Sequence, residues 1–317
     1  MSIRIKMAKD QLRPIYYGLR QQYHCLLTMI SPELNIKTLY REQFGKKLDL
    51  SNPQTLNEKL LWLKLNDYIK NPLIIRCADK YTVREYIREQ GCGEILNELY
   101  GVYDSADEIN WDELPEQFVL KWNFGAGMNI VCTDKSKLDI PATVEQLRKW
   151  GKRKYWLTHA EMQYKYAPKK IICERLLNGA GADAPAGTWV APEDYKVYCF
   201  NGEPKYTLVC VGRELDTSKG IKPKFYFYDE NWELARINRD SIAAPEDFKM
   251  EKRPGMDQLL EYARKLAQPF PFVRADFYVL NGKVYFGELT FTPSGGMDPN
   301  RLPETDLMMG KLLKLPE

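Results

Sequence analysis

VRADFYVLNGKVYFGELTFTPSGG, residues 273–296, alternates apolar and polar positions on either side of Asn281-Gly282, the pattern of two antiparallel strands joined by a tight turn. It also sets Arg274, Asp276 and Glu288 where a sheet ordinarily carries apolar or neutral residues. Burying such a trio costs several kcal/mol unless something pairs it. A divalent cation with a polyphosphate would do so, because carboxylate oxygens suit hard Mg2+ and the arginine fork grips phosphate. Directly opposed residues of an antiparallel ladder share a face, so a strict two-residue turn would set Glu288 opposite Ala275 and turn Asp276 away. A slip of one residue, from a three-residue loop that takes in Lys283 or from a bulge near Gly287, brings Asp276 and Glu288 onto one face with Arg274 and Thr290 two residues along. The segment therefore predicts that slip. The plain alternative is an exposed amphipathic hairpin whose charges face water.

Upstream, FVLK at 118–121 reads as a short apolar strand, and IVCT at 130–133 as a second one after the loop Trp122 to Asn129 with Gly125 and Gly127. No GxGxxG or GK[ST] signature is present, which excludes a Rossmann or P-loop reading. Lys121 at the strand end can reach a phosphate while backbone N–H groups of Gly125 to Gly127 cover its charge; alone it reads equally as a solvated edge residue. KIICERLL, from Lys170, is a strand running into a linker, and Glu174 to Leu177, with Leu176 and Leu177 aliphatic, can offer backbone groups to a flat base and sandwich it. DYKVYCF places Lys196 on one strand face with Asp194 and Tyr198, where the ordinary reading is a surface cross-strand pair.

The first third reads mainly as helix, with a capping box at Thr55-Leu56-Asn57-Glu58 ahead of LLWLKLNDYI and a second amphipathic run, YTVREYIREQ, after Asp79-Lys80. From Asp194 the chain is mostly antiparallel strand, with a helix near Met256 to Leu266 before the hairpin. The expected architecture is α+β: a helical region over 1–110, a small lobe with the glycine loop over 111–175, and a large lobe with the hairpin over 176–317. A chain of 317 residues supports such a division, and its net charge of +3 without clustered basic and aromatic residues predicts no nucleic-acid partner. Seven cysteines form no CxxC pair and only two histidines occur, which argues against a disulfide framework, a His/Cys zinc site and a Ser-His-Asp triad, and for a reducing cytoplasm. No apolar run approaches the length a bilayer demands. The segment 1–30, with five Lys/Arg among tyrosines and aliphatics, can lie on a membrane surface; the preferred expectation is that its apolar stripe packs on the body.

Lysine before a glycine loop, an acidic linker, a strand lysine, then Arg-x-Asp and Glu-x-Thr on a hairpin resembles the ATP-grasp superfamily. NEKLLWLKLND, ADKYTVREYI, FVLKWNFGAGMNIV, DYKVYCFNGEPKY, KFYFYDENWE and the hairpin resemble its TupA-like branch, associated with teichuronopeptide and other bacterial surface-polysaccharide synthesis, from about Asn57 to Gly296. The resemblance implies ATP and Mg2+ as cofactors. Lys121 and Lys196 would hold ATP phosphates behind Gly125 and Gly127, Glu174, Leu176 and Leu177 would form the adenine hinge, Arg274 would meet the transferred phosphate, and Asp276, Glu288 and Thr290 would face magnesium. It implies a carboxylate–amine ligase working through an acyl phosphate, with a uronic acid of a surface glycan or its precursor and an amino acid or other amine as partners. Candidate acceptor contacts are Arg213 and Arg301, the latter in GGMDPNR. Thr290 stands where the superfamily usually has Asn, and Phe124 and Ala126 where the branch's loop commonly has His and a small polar residue. A glycosyltransferase and a nucleotide- or glycan-binding scaffold of reduced activity are the alternatives. Asp276→Asn and Glu288→Gln are each expected to abolish turnover with little loss of folding.

Overall fold

In a computed structural model the described residues are 3–180, 184–185, 187–212 and 223–316; of 3–15 only the backbone is described. Five helices lead: α1 (Ile3–Ile30), α2 (Pro32–Phe44), α3 (Leu56–Asn66), α4 (Pro72–Ala78) and α5 (Val83–Glu89). Local chemistry sets their ends. Ser31 Oγ accepts from Leu34 N with Pro32 behind it, and Gly45 closes α2 at φ 68°. The capping box at Thr55 and Glu58 starts α3 as the sequence predicts. Leu56, Leu60 and Leu63 of α3 are fully buried in one core with Tyr195, Phe272 and Phe277, so these helices are built onto the C-terminal part of the chain.

The strands of the described residues form two sheets, both antiparallel throughout. The smaller one contains β1 (Leu99–Tyr103), β2 (Phe118–Trp122), β3 (Asn129–Cys132) and β4 (Ile171–Arg175) in the order β1-β4-β2-β3, with α6 (Ile140–Gly151) and α7 (Gln163–Tyr166) between β3 and β4. Its edge strand β1 comes from within the 1–110 stretch that reads as helical. The larger sheet has the order β10-β9-β5-β6-β7-β8: β5 (Asp194–Phe200), β6 (Glu203–Val211), β7 (Lys224–Tyr228), β8 (Leu234–Ala235), β9 (Phe272–Leu280) and β10 (Lys283–Thr290). Helices α8 (Arg239–Ala243) and α9 (Met256–Ala267) lie between β8 and β9, and α10 (Pro303–Leu312) closes the chain. The amphipathic α9 buries Leu259, Ala263 and Leu266 in the same core as Val273, Ala275 and Phe277. Each large apolar side chain there contributes about 1.5–3 kcal/mol. Because side chains alternate along β9, fixing Val273, Ala275 and Phe277 in the core commits Arg274 and Asp276 to the opposite face.

The hairpin resolves the register question. Lys283 pairs with Leu280 across a two-residue turn in which Asn281 (φ 51°) and Gly282 (φ 76°) are both left-handed. Phe286 still pairs with Phe277, but Glu288 pairs with Asp276 and Thr290 with Arg274, so the extra residue is Gly287. The slip thus comes from the bulge. A Cβ at Gly287 would stand 2.9 Å from Asp276 O, so the close backbone approach requires glycine there.

The N-terminal expectation needs correction. The side of α1 toward the body carries buried His24, Leu27 and Thr28, whereas Tyr16, Leu19, Tyr23, Leu26 and Ile30 are exposed. Much of the apolar stripe therefore faces outward. His24, Thr28 and Asn35 decide which face is buried, because Thr28 Oγ1 donates to Leu157 O and Asn35 Nδ2 donates to Thr28 Oγ1 and Thr158 O.

Candidate active site

Strand register assembles the centre in two rows. Lys196 pairs with Asp276, which pairs with Glu288; one step along, Tyr198 pairs with Arg274, which pairs with Thr290. Six residues that are up to 94 positions apart in sequence thereby share one face of β5, β9 and β10. Arg274 donates through Nε and Nη2 to the two oxygens of Asp276 at 2.7 and 2.6 Å, and Lys196 Nζ donates to Asp276 Oδ2 at 2.7 Å. Lys196 also meets Asp194 at 2.7 Å. Thr290 Oγ1 donates to Glu288 Oε1 and accepts from Arg274 Nη2, so in this structure its hydroxyl orients those two groups.

Electrostatics follow from crowding these charges together. Burial opposes ionisation of Glu288, but Lys80, Arg274 and Lys196 outweigh it and bring its pKa down to about 2. Burial also works against the charge on Lys196, which Asp276 and Asp194 restore, leaving its pKa raised. Asp276 is pushed up by burial against the pull of Arg274 and Lys196.

The smaller sheet supplies a second cluster. Lys121 Nζ donates to Glu174 Oε2 at 2.8 Å, and Arg84 Nη1 donates to Glu174 Oε1 at 2.8 Å. Lys121 and Glu174 line a cavity of about 230 Å³ with Val119, Leu176, Leu177 and, from the larger sheet, Phe286. This cavity therefore lies between the sheets. Gly125 and Gly127 both take left-handed backbone (φ 68° and 73°), and at Gly125 a Cβ would sit 2.6 Å from the Tyr155 ring. Phe124 is buried and packs on Trp122 with ring centroids 5.5 Å apart, so its place in the loop is explained by the core.

Three polar residues here escaped the sequence reading as site residues. Lys80, from the turn before α5, donates Nζ to Gly125 O and lies 3.7 Å from Glu288 Oε2, bridging loop and hairpin. Arg84 and Asp194 each neutralise a predicted site residue. The i, i+2 spacing of Asp194 and Lys196 was a signal for that pair; nothing local marks Lys80 or Arg84, whose partners in the site, Gly125 and Glu174, are 45 and 90 positions away.

A second cavity, of about 380 Å³, shares Lys196 and Arg274 and extends to Tyr198, Phe225, Ser294 and Arg301. Arg301 is nearly fully buried and donates Nη1 to Asn57 Oδ1 and Asp306 Oδ1, which ties the loop to α3 and α10. Ser294, Gly295 and Gly296 are consecutively left-handed, and the buried Lys64 ammonium donates to Gly295 O at 2.9 Å. Burial brings the Lys64 pKa down to about 8, against the pull of Glu161. Arg213 lies outside the described residues.

A sequence model of the family described as TupA-like ATPgrasp matches residues 58–314. The chain belongs to this family. The match begins inside α3 and takes in α4 to α10, both sheets and every predicted site residue, while α1 and α2 precede it. Among curated proteins none matches in sequence. Similar solved structures include the D-alanine–D-alanine ligase of Bacillus anthracis complexed with ATP, at 13% identity and TM-score 0.44, covering 74% of this chain and 61% of that one. The D-alanine–D-alanine ligase of Helicobacter pylori is 16% identical at TM-score 0.39, covering 76% and 62%. An L-amino acid ligase of Bacillus licheniformis is 9% identical at TM-score 0.47, covering 88% and 57%. The chain thus spans about three fifths of the length of these proteins. At such TM-scores none of them carries an argument about what this TupA-like chain joins.

The donor set can be tested against magnesium directly. Asp276 and Glu288 offer hard carboxylate oxygens from adjacent strands, and among the described residues no group of three or more His, Cys, Asp or Glu is gathered for a metal. Two carboxylates suit an ion that keeps several waters and takes its remaining ligands from phosphates, as Mg2+ does, and do not suit a closed protein cage. The residues fit.

Proposed function

We propose that this TupA-like chain is an ATP- and magnesium-dependent, ADP-forming ligase that joins a carboxylate to an amine. The observation that carries the reading is the row Lys196, Asp276 and Glu288 beside Arg274, created by the bulge at Gly287. Adenine sits in the cavity between the sheets, against Leu176, Leu177 and the backbone from Glu174. Lys121 and Lys196 hold phosphates beneath Gly125 and Gly127, and Arg274 meets the phosphoryl group that moves. Asp276 and Glu288 hold magnesium, with Thr290 orienting Glu288. Bound there, the ion neutralises charge on the phosphate oxygens.

The acceptor carboxylate enters the second cavity, where Lys196 and Arg274 draw it to the terminal phosphate. Its oxygen attacks phosphorus, the bond to the ADP oxygen breaks, and an acyl phosphate results. The amine then attacks the acyl carbon, phosphate departs, and the nitrogen loses a proton to form the amide. No enzyme nucleophile is required, which agrees with a chain whose cationic residues do the stabilising. The acceptor is a uronic acid of a bacterial surface polysaccharide or a precursor of one, and the amine an amino acid or similar small molecule. The cytoplasm, with its ATP and reduced thiols, is the compartment we infer; the cysteines of the described structure are all free. A glycosyltransferase with a parallel Rossmann-like sheet finds no support in two antiparallel sheets.

Mass spectrometry of reactions containing Mg-ATP, uronic acids and a mixed amino-acid pool tests the reading. The expected products are ADP, phosphate and a conjugate lighter than its two components by one water. Release of UDP from a sugar nucleotide, or ADP production indifferent to carboxylate and amine, would overturn it.

A further inference from the structure

We propose that the outward face of α1 is a docking surface for an anionic lipid bilayer. Of the thirteen exposed large hydrophobic side chains among the described residues, eight lie between Tyr16 and Leu34. Tyr16, Leu19, Tyr23, Leu26 and Ile30 follow a 3-4-3-4 spacing, which on a helix is one continuous stripe about 21 Å long. Leu19, Leu26 and Ile30 are 62%, 53% and 67% exposed, so among the described residues nothing covers the stripe. A contiguous apolar patch of this kind marks an interaction site.

The helix is not free to roll this stripe inward. Its other side is pinned by buried His24, with Nδ1 2.7 Å from Asn35 Oδ1, and by the Thr28 hydroxyl bound to Leu157 O. Turning the stripe inward would expose these groups and break their bonds.

Charge selects the occupant. Between Ile3 and Ile30 the sequence holds five Lys/Arg and one Asp, a net +4, whereas the whole chain carries +3. The excess positive charge of the protein is therefore concentrated on the helix that bears the stripe. An apolar stripe with tyrosines on a cationic helix is the composition that binds in the headgroup region of anionic bilayers, where each Lys or Arg near the surface strengthens binding about fivefold. Leu12, Leu19 and Leu26, seven residues apart, also permit pairing with a second copy, but that would bring one +4 helix against another. Among the described residues no helix is long and apolar enough to cross a membrane, so the contact is lateral. The surface is independent of the ligase reading, and its deciding readout, vesicle binding, needs no turnover.

Co-sedimentation of the full chain with phosphatidylcholine vesicles, with and without phosphatidylglycerol, tests the proposal. Expected is partitioning onto the anionic vesicles at least tenfold stronger than onto neutral ones, weakened by raising salt to about 1 M, where the Debye length falls to about 3 Å. The variant Leu19→Gln/Leu26→Gln/Ile30→Gln should lose at least tenfold while its thermal unfolding and Mg-ATP affinity stay at the wild-type level, since these side chains are exposed. Lys6→Gln/Lys9→Gln should weaken anionic binding by at least tenfold. Wild-type protein left in the supernatant with anionic vesicles would overturn the proposal. So would equal partitioning by the triple variant, or a wild-type dimer split by the triple substitution with no binding to either vesicle, which would assign the face to a second copy.

Discussion

Asp276→Asn and Glu288→Gln remove the same charge from neighbouring strands; the sequence predicts little loss of folding for both, but the structure keeps that expectation only for Glu288→Gln. Asp276 is 3% exposed and carries three hydrogen bonds from Arg274 and Lys196 at 2.6–2.7 Å. Neutralising it leaves two buried cations facing one amide oxygen. Removing one partner of a buried pair costs about 3–5 kcal/mol, and because Asn keeps the volume and one acceptor the low end, about 3 kcal/mol, applies. For a chain of this size that lowers Tm by roughly 6 °C. Glu288 is different: its side chain is 36% exposed and its cations stand 3.7 Å away, so Gln there costs at most about 1 kcal/mol. The assay is urea and thermal unfolding of both variants and the wild type, with and without Mg-ATP. Wild type should gain about 2.7 kcal/mol at a hundredfold excess of nucleotide over its Kd, and both variants should lose most of that gain. Adding Lys196→Met to Asp276→Asn removes one stranded cation and should recover part of the loss, a coupling the double-mutant cycle reads directly. Asp276→Asn unfolding within about 0.5 kcal/mol of wild type would refute the buried-pair reasoning. Undiminished stabilisation of both variants by Mg-ATP would refute the metal assignment.

Three further outcomes follow from the site. Lys80→Met should raise the Kd of Mg-ATP about tenfold in fluorescence titrations while leaving that of AMP unchanged, because Lys80 lies beside Glu288 and the glycine loop; an equal loss for both nucleotides would make its role structural. Gly125→Ala should destabilise by more than the roughly 1–2 kcal/mol of left-handed backbone alone, since its Cβ meets the Tyr155 ring, whereas Gly127→Ala, whose Cβ meets open space, should cost only that strain in denaturant unfolding. Lys64, with its folded pKa down at about 8, is neutral in the native protein above that pH while the unfolded chain still binds its proton. Stability contributed by this group therefore rises between about pH 8 and pH 10.5, by roughly 3 kcal/mol, and is lost as pH falls back through the window. The wild-type minus Lys64→Met difference in unfolding free energy across that range isolates it; a flat difference would disprove the shift.

Much of the site was legible because its residues break local rules. Arg274, Asp276 and Glu288 interrupt alternating strands, and the need for one face forced a slip that the bulge at Gly287 supplies. The capping box at Thr55 and the helix at Met256 are local signals that survived into the fold. Lys80 and Arg84 were not legible as site residues, since one sits in the turn before an ordinary amphipathic helix and the other within it, and each acquires its role only from partners brought close by the sheets. The orientation of α1 failed for a related reason: periodicity shows an apolar stripe but does not weigh it against the polar network of His24, Thr28 and Asn35 that claims the inner side.

Composition and pattern by themselves determined most element types, though not strand β1, together with the antiparallel hairpin and the cation–carboxylate set, because propensity, turn chemistry and period-two alternation act over a few residues. Tertiary structure decided which of those charges meet, that Asp276 is locked between Arg274 and Lys196 while Glu288 stays half open, and which side of α1 faces outward. Such outcomes depend on strand order and on competition for burial between distant segments, and neither is written in any single stretch of the chain.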